Sequence, residues 1–125
     1  MPALLFYEGE AIELGTQLTI VGRRPPGMTA EPDEPDAFPP RPIVEHLADG
    51  RTLVAVRDLR LARRHFEIRR QDEPEGAVRY FVRDLDSHCG TPINGRRVDA
   101  GWHELTDGDV LLFTMFRFRL TPRTP

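Results

Sequence analysis

The sequence predicts an all-β domain, built as an antiparallel sandwich of about ten short strands. Apolar and polar residues alternate in short runs, for example over 17–21 and 77–84. Residues typical of turns separate these runs at short intervals, and no stretch longer than one turn has helical periodicity. A length of 125 residues suits a single domain with one hydrophobic core.

Further strands follow from the same alternation. The first is predicted over 3–7, and Ile12 and Leu14 then alternate with polar neighbours. Later runs with the same pattern predict strands over 52–56, 64–69 and 102–105, and a closing hairpin formed by 110–113 and 116–120.

A polar loop over 84–98 is the stretch around which the other elements are arranged. It contains Asn94-Gly95, the dipeptide that most strongly indicates a two-residue β-hairpin. Because ordered loops on a rigid sheet often carry binding residues, Ser87, His88 and Cys89 are candidates for a site.

An insertion is predicted at about 25–50, where seven of the twelve prolines lie among six acidic residues and one arginine. Little in this segment can form a packed core, so we expect it to be flexible or partly extended, with Ile43, Val44 and Leu47 as the residues that dock its far end. It is interpreted as a tolerated surface loop or as an acidic segment that mimics a ligand. The prediction is therefore one domain over 1–121, interrupted by this insertion, with a tail at 122–125.

Composition excludes several classes of protein. The apolar run at 3–7 is too short for a signal peptide or a membrane span, so a soluble, cytoplasmic protein is expected. Cys89 is the only cysteine, which excludes an internal disulfide and fits a reducing compartment. The net charge of −3 indicates no nucleic-acid partner. Histidines 46, 65, 88 and 103 lack metal-ligand spacing, so no metal and no cofactor are predicted.

All 17 basic residues are arginine. This usage is typical of a GC-rich bacterial coding sequence, and it also suits the recognition of phosphate or carboxylate groups. The two explanations are compatible.

Four fragments in register resemble the forkhead-associated (FHA) domain: Gly22-Arg23, 62–65 (ARRH), 84–91 (DLDSHCGT) leading to Asn94-Gly95, and 105–109 (LTDGD). The resemblance spans the chain except for the predicted insertion. It implies an eleven-stranded β-sandwich that performs no chemistry and binds phosphothreonine peptides in bacterial signalling. The implied partner is a protein or peptide, for example the substrate of a Ser/Thr kinase.

The resemblance also implies roles for individual residues. Arg23 matches the arginine that binds the phosphate, and Arg63 matches a residue that contacts the peptide nearby. Ala62, Ser87, His88 and Cys89 occupy the other phosphopeptide-binding positions. The remaining matches imply residues that brace the loops: Gly22, His65, Gly90, Thr91, Asn94 and Gly95.

Three of these positions depart from the family pattern, and one of them is His88, which replaces a residue that often contacts the phosphate. Ala62 replaces a serine whose hydroxyl contacts the phosphate, and Cys89 replaces an asparagine that holds the ligand backbone. Each lost hydrogen bond costs on the order of 1 kcal/mol. His88 compensates in part if its imidazolium donates to the phosphate beside Arg23.

Two other functions compete with phosphopeptide binding. A catalytic cluster of Ser87, His88, Cys89 and Asp84 or Asp86 is disfavoured, because adjacent residues on an extended loop point apart. The stronger alternative is an interaction scaffold with the same fold that binds its partner without phosphorylation.

Overall fold

The computed structural model describes residues 3–23, 42–56 and 60–120. The described residues contain no helix that is long and apolar enough to cross a membrane. They form ten strands: β1 (Leu4–Tyr7), β2 (Glu10–Glu13), β3 (Leu18–Arg23), β4 (Ile43–His46), β5 (Arg51–Val56), β6 (Phe66–Asp72), β7 (Val78–Asp84), β8 (His103–Glu104), β9 (Val110–Leu111) and β10 (Phe116–Arg119).

The strands make two sheets that pack face to face. One has four strands in the order β2-β1-β10-β9, and the other has six in the order β4-β5-β3-β6-β7-β8. Neighbouring strands are antiparallel except for β3 and β5, which run parallel. The chain reaches β5 through the edge strand β4, which pairs antiparallel with β5, so β5 enters the sheet in the direction of β3. The predicted all-β sandwich is confirmed.

The core lies between the inner faces of the two sheets, where alternate residues of β1, β5, β7 and β10 are buried. Aromatic rings connect the layers. Phe66 of the six-stranded sheet meets Phe116 of the four-stranded sheet edge-to-face, with ring centroids 5.3 Å apart. Tyr80 and Phe118 make a second contact at 5.4 Å. The hydroxyl of Tyr80 accepts a hydrogen bond from the Ala3 amide, which holds the start of the chain on the sandwich.

The start of β6 breaks the alternation, because Glu67 is buried together with Phe66 and Ile68. Glu67 lies on the outer face of the sheet, opposite Arg83 of β7. Arg83 donates a hydrogen bond to Glu67, and its guanidinium lies 4.5 Å from the centre of the Trp102 ring. An ion pair covered by an aromatic ring therefore explains why a carboxylate is buried at this point.

The predicted insertion is wrong over 43–50. Residues 43–46 form β4, and a tight turn joins β4 to β5. In this turn the Leu47 amide donates a hydrogen bond to the Arg51 carbonyl at 2.8 Å. The apolar pair Ile43 and Val44 lies opposite Ala55 and Val54, which gives this segment a place in the sheet despite its acidic neighbours. Residues 24–41 and the predicted tail lie outside the described residues.

The predicted strand over 110–113 is also shorter than expected. It ends at Leu111, and a turn over 112–115 leads to β10. Leu112 and Phe113 have left-handed φ angles of 53° and 66°. Such angles are strained for bulky side chains, and Phe113 is 66% exposed. The turn therefore presents an aromatic ring to solvent at a conformational cost.

Phe113→Gly should stabilise the domain by about 1 kcal/mol, because glycine adopts the left-handed conformation without strain. Little packing is lost, since the ring is largely exposed. Urea denaturation measures the change, with Phe113→Ala as the control that removes the ring and keeps the strain. A glycine variant no more stable than the alanine variant would contradict a left-handed turn.

Candidate functional site

The end of β3 is held against the segment 60–65 by a close backbone contact. The Arg23 amide donates to the Ala62 carbonyl at 2.8 Å, and the His65 amide donates to the Val21 carbonyl at 2.9 Å. A Cβ atom on Gly22 would lie 1.8 Å from the carbonyl oxygen of Arg63. Only glycine allows this approach, so Gly22 sets the position of the segment that carries Arg63.

His65 links that segment to the loop that follows β7. Its ring is 1% exposed. The Ala62 amide donates to Nδ1 at 3.0 Å, which requires Nδ1 to be the acceptor. Nε2 therefore carries the proton and donates to the Gly90 carbonyl at 2.7 Å. Both ring nitrogens make hydrogen bonds, so the ring fixes the distance between the segment 60–65 and the loop that follows β7.

Asp84 organises the loop after β7 from its first residue. Its carboxylate accepts hydrogen bonds from the amide and hydroxyl of Ser87, and from the hydroxyl of Thr91 at 2.8 Å. Thr91 is buried, so its hydroxyl needs this acceptor. The loop from 84 to 91 is thus closed around one carboxylate.

The Asn94-Gly95 turn is the expected two-residue hairpin. Both residues have left-handed φ angles, 52° and 77°, and Ile93 and Arg96 exchange two backbone hydrogen bonds. Sequence analysis missed the partner of this turn, Asp109, whose carboxylate accepts from the Asn94 amide group at 2.9 Å. The only sequence signal for Asp109 is its place in the 105–109 fragment.

The charge distribution separates this end of the sandwich from the rest. Arginines on the sheets mostly have carboxylate partners, as Arg79 has in Glu104 at 2.6 Å. The hydrogen bond from Arg79 is the main reason that the pKa of Glu104 lies below its usual value. Within the described ranges, by contrast, no ion pair engages five arginines next to the braced loops: Arg23, Arg63, Arg64, Arg96 and Arg97.

The structure therefore brings the residues of the predicted site to one end of the sandwich. Some of these residues, however, have no hydrogen-bonding group left for a ligand. The amide of Ala62 is used by His65 and its carbonyl by Arg23. The hydroxyl hydrogen of Ser87 is donated to Asp84. Arg63, His88 and Cys89 are exposed, and Arg23 is half-buried.

A small pocket lies beside the exposed part of this loop. It has a volume of about 260 Å³ and is lined by residues 88–92 together with Arg97 and Val98. Among the residues that the structure describes, no group of three or more His, Cys, Asp or Glu side chains is placed to hold a metal ion. The chemistry of the site is that of cations and hydrogen-bond donors.

Comparison with known families identifies the chain. The family model of the FHA domain matches residues 48–114, more than half of the sequence. The chain belongs to the FHA family. FHA domains are interaction modules, generally non-enzymatic, that are known for phosphothreonine binding.

Solved FHA domains share the fold. The FHA domain of CT664 from Chlamydia trachomatis is 17% identical, with a TM-score of 0.63, and the match covers 98% of this chain and 100% of that chain. An FHA domain from a study of phosphothreonine-dependent interactions is 23% identical, with a TM-score of 0.60 and coverage of 98% and 99%. Full-length yeast Pml1p is 20% identical, with a TM-score of 0.59 and coverage of 94% and 77%. No curated protein matches the sequence.

Gly22→Ala should destabilise this FHA domain by about 3 kcal/mol, because the new methyl group cannot fit beside the Arg63 carbonyl. Thermal denaturation tests the prediction. Gly101→Ala is the matched control, since a Cβ atom there meets its nearest atom at an ordinary 3.6 Å. Equal stability of the two variants would contradict the close approach at β3.

Proposed function

We propose that this FHA domain binds phosphothreonine peptides through Arg23, Arg63 and His88. The observation that carries the proposal is the group of arginines that have no carboxylate partner among the described residues, next to loops that hydrogen bonds hold in place. A guanidinium and a phosphate dianion make strong, paired hydrogen bonds. A site that leaves its arginines unpaired and holds the loops rigid is suited to this ligand.

Recognition rests on charge more than on neutral hydrogen bonds. Ala62 has no unused backbone group, and the hydroxyl of Ser87 is engaged by Asp84. We therefore infer that neither Ala62 nor Ser87 contacts the ligand directly. Cys89 is exposed and supplies a thiol, a weak donor, where the family pattern has an asparagine. His88 is the side chain best placed to replace the lost donors.

A scaffold that binds an unmodified protein is the second candidate. It is favoured by the same two departures, Ala62 and Cys89, which remove contacts that a phosphopeptide would use. The retained arginines without partners favour the phosphate-dependent function.

The proposal includes no catalytic step. Ser87 is hydrogen-bonded to Asp84, so the described contacts hold it in a bracing role and do not present it as a nucleophile activated by His88. We further propose a cytoplasmic setting, because the exposed Cys89 suits a reducing compartment, and a Ser/Thr kinase substrate as the partner.

Arg23→Ala should weaken binding of a degenerate phosphothreonine peptide pool by about thirtyfold, because the main contact to the dianion is lost. Isothermal titration calorimetry measures the change, and the unphosphorylated pool gives the baseline. Arg69→Ala is the matched control, since Arg69 is exposed on β6, away from the loops, and also has no ion pair in the described ranges. Equal binding of the two pools by wild type would instead establish the scaffold function.

His88→Ala should weaken phosphopeptide binding by about fivefold, because a hydrogen-bond donor to the phosphate is lost. Fluorescence anisotropy with the phosphorylated pool measures the change. Affinity equal to that of wild type would remove His88 from the phosphate contact.

A further inference from the structure

We propose that the pocket beside Arg97 receives an acidic side chain of the ligand, at a position other than the phosphothreonine. This inference rests on the proposed function and adds a second recognition site to it. The pocket is lined by residues 88–92 together with Arg97 and Val98. His88 and Cys89 belong to this lining, so a peptide bound across these residues lies next to the pocket.

The charge of the pocket selects an anion. Arg97 is exposed, and no ion pair engages it within the described ranges. The loop contains two acids, Asp84 and Asp86, and Asp99 follows it; none of the three lines the pocket. Asp84 is bonded to Ser87 and Thr91, and Asp99 lies 2.9 Å from His103. Asp86 is exposed beside them. A permanent cation facing an open space without a carboxylate attracts an acidic group of the ligand.

The size of the pocket limits what it can hold. Its volume of about 260 Å³ lies below the range of about 300–1,000 Å³ that is usual for small-molecule sites. One glutamate or aspartate side chain fits such a space. A planar carboxylate also matches the two parallel donors of a guanidinium.

The walls of the pocket are held before any ligand binds. The Gly90 carbonyl accepts from His65, and the Thr91 hydroxyl donates to Asp84. The Pro92 carbonyl accepts from the Leu112 amide at 3.0 Å. Arg97 follows the two-residue hairpin closed between Ile93 and Arg96. Little ordering is then needed on binding, which favours affinity.

The test is a set of phosphothreonine peptides in which glutamate replaces alanine at each position within about four residues of the phosphothreonine. An extended peptide advances about 3.3 Å per residue, so the set samples both sides of the site. We expect one position at which glutamate raises affinity by about three- to tenfold. Arg97→Gln should abolish that gain and keep phosphate dependence.

Arg96→Gln is the matched control, because Arg96 is the adjacent exposed arginine and does not line the pocket. It should retain the preference for glutamate. The proposal is overturned if no position prefers glutamate, or if Arg96→Gln and Arg97→Gln reduce the preference equally.

A second measurement separates this proposal from the phosphate site. Amide NMR titration with an unphosphorylated glutamate-containing peptide should shift the signals of Gly90 and Val98 in wild type but not in Arg97→Gln. That result supports the acidic pocket even if phosphate dependence fails. Phosphate-dependent binding without these shifts overturns the pocket and leaves the phosphate site standing.

Discussion

The buried ring of His65 is the constraint on which the site depends. One nitrogen accepts from the Ala62 amide and the other donates to the Gly90 carbonyl. Removing the buried ring would leave a half-buried donor and a half-buried acceptor without this partner, at up to about 1–3 kcal/mol for each group. Two loops that are 25 residues apart in sequence are thus fixed by one side chain.

The close approach at Gly22 makes this arrangement possible. The backbone of Arg63 rests directly over β3, and the amides of Arg23 and His65 complete the contact. Since the glycine has no side chain, the segment can lie deep enough for His65 to reach Gly90. Arg63 and Arg64 then remain on the exposed side of the segment. Packing at one buried point therefore decides where charges appear on the surface.

The groups that hold the loops in place differ chemically from those that we propose to bind the ligand. Carboxylates hold the loops: half-buried Asp84 accepts from Ser87 and Thr91, and buried Asp109 accepts from Asn94. The cations that face outwards take no part in these bonds. The braces make no use of the side chains of Ala62 and Cys89, so these residues differ from the family pattern without disturbing the loop architecture. A domain of this kind can change its ligand while keeping its fold.

Local features of the sequence determined the fold class and the positions of the loops. Alternation over 77–84 and the Asn94-Gly95 turn depend on neighbouring residues, so both were predicted correctly. The match of the FHA family model over 48–114 agrees with the resemblance carried by the segment around His65 and by the fragments that follow it. These motifs are short, so a few adjacent residues are enough to reveal the resemblance.

Tertiary structure alone decided which polar groups remain available. The use of the Ala62 carbonyl by Arg23, the bond from His65 to Gly90 and the role of Asp109 depend on partners distant in sequence. The left-handed turn at Leu112 and Phe113 likewise opposes the local apolar pattern, since it is set by the Pro92 carbonyl and the start of β10. Alternation reports which face of a strand is buried, because that depends on near neighbours. The choice of a hydrogen-bond partner depends on which distant segment the folded chain brings within reach.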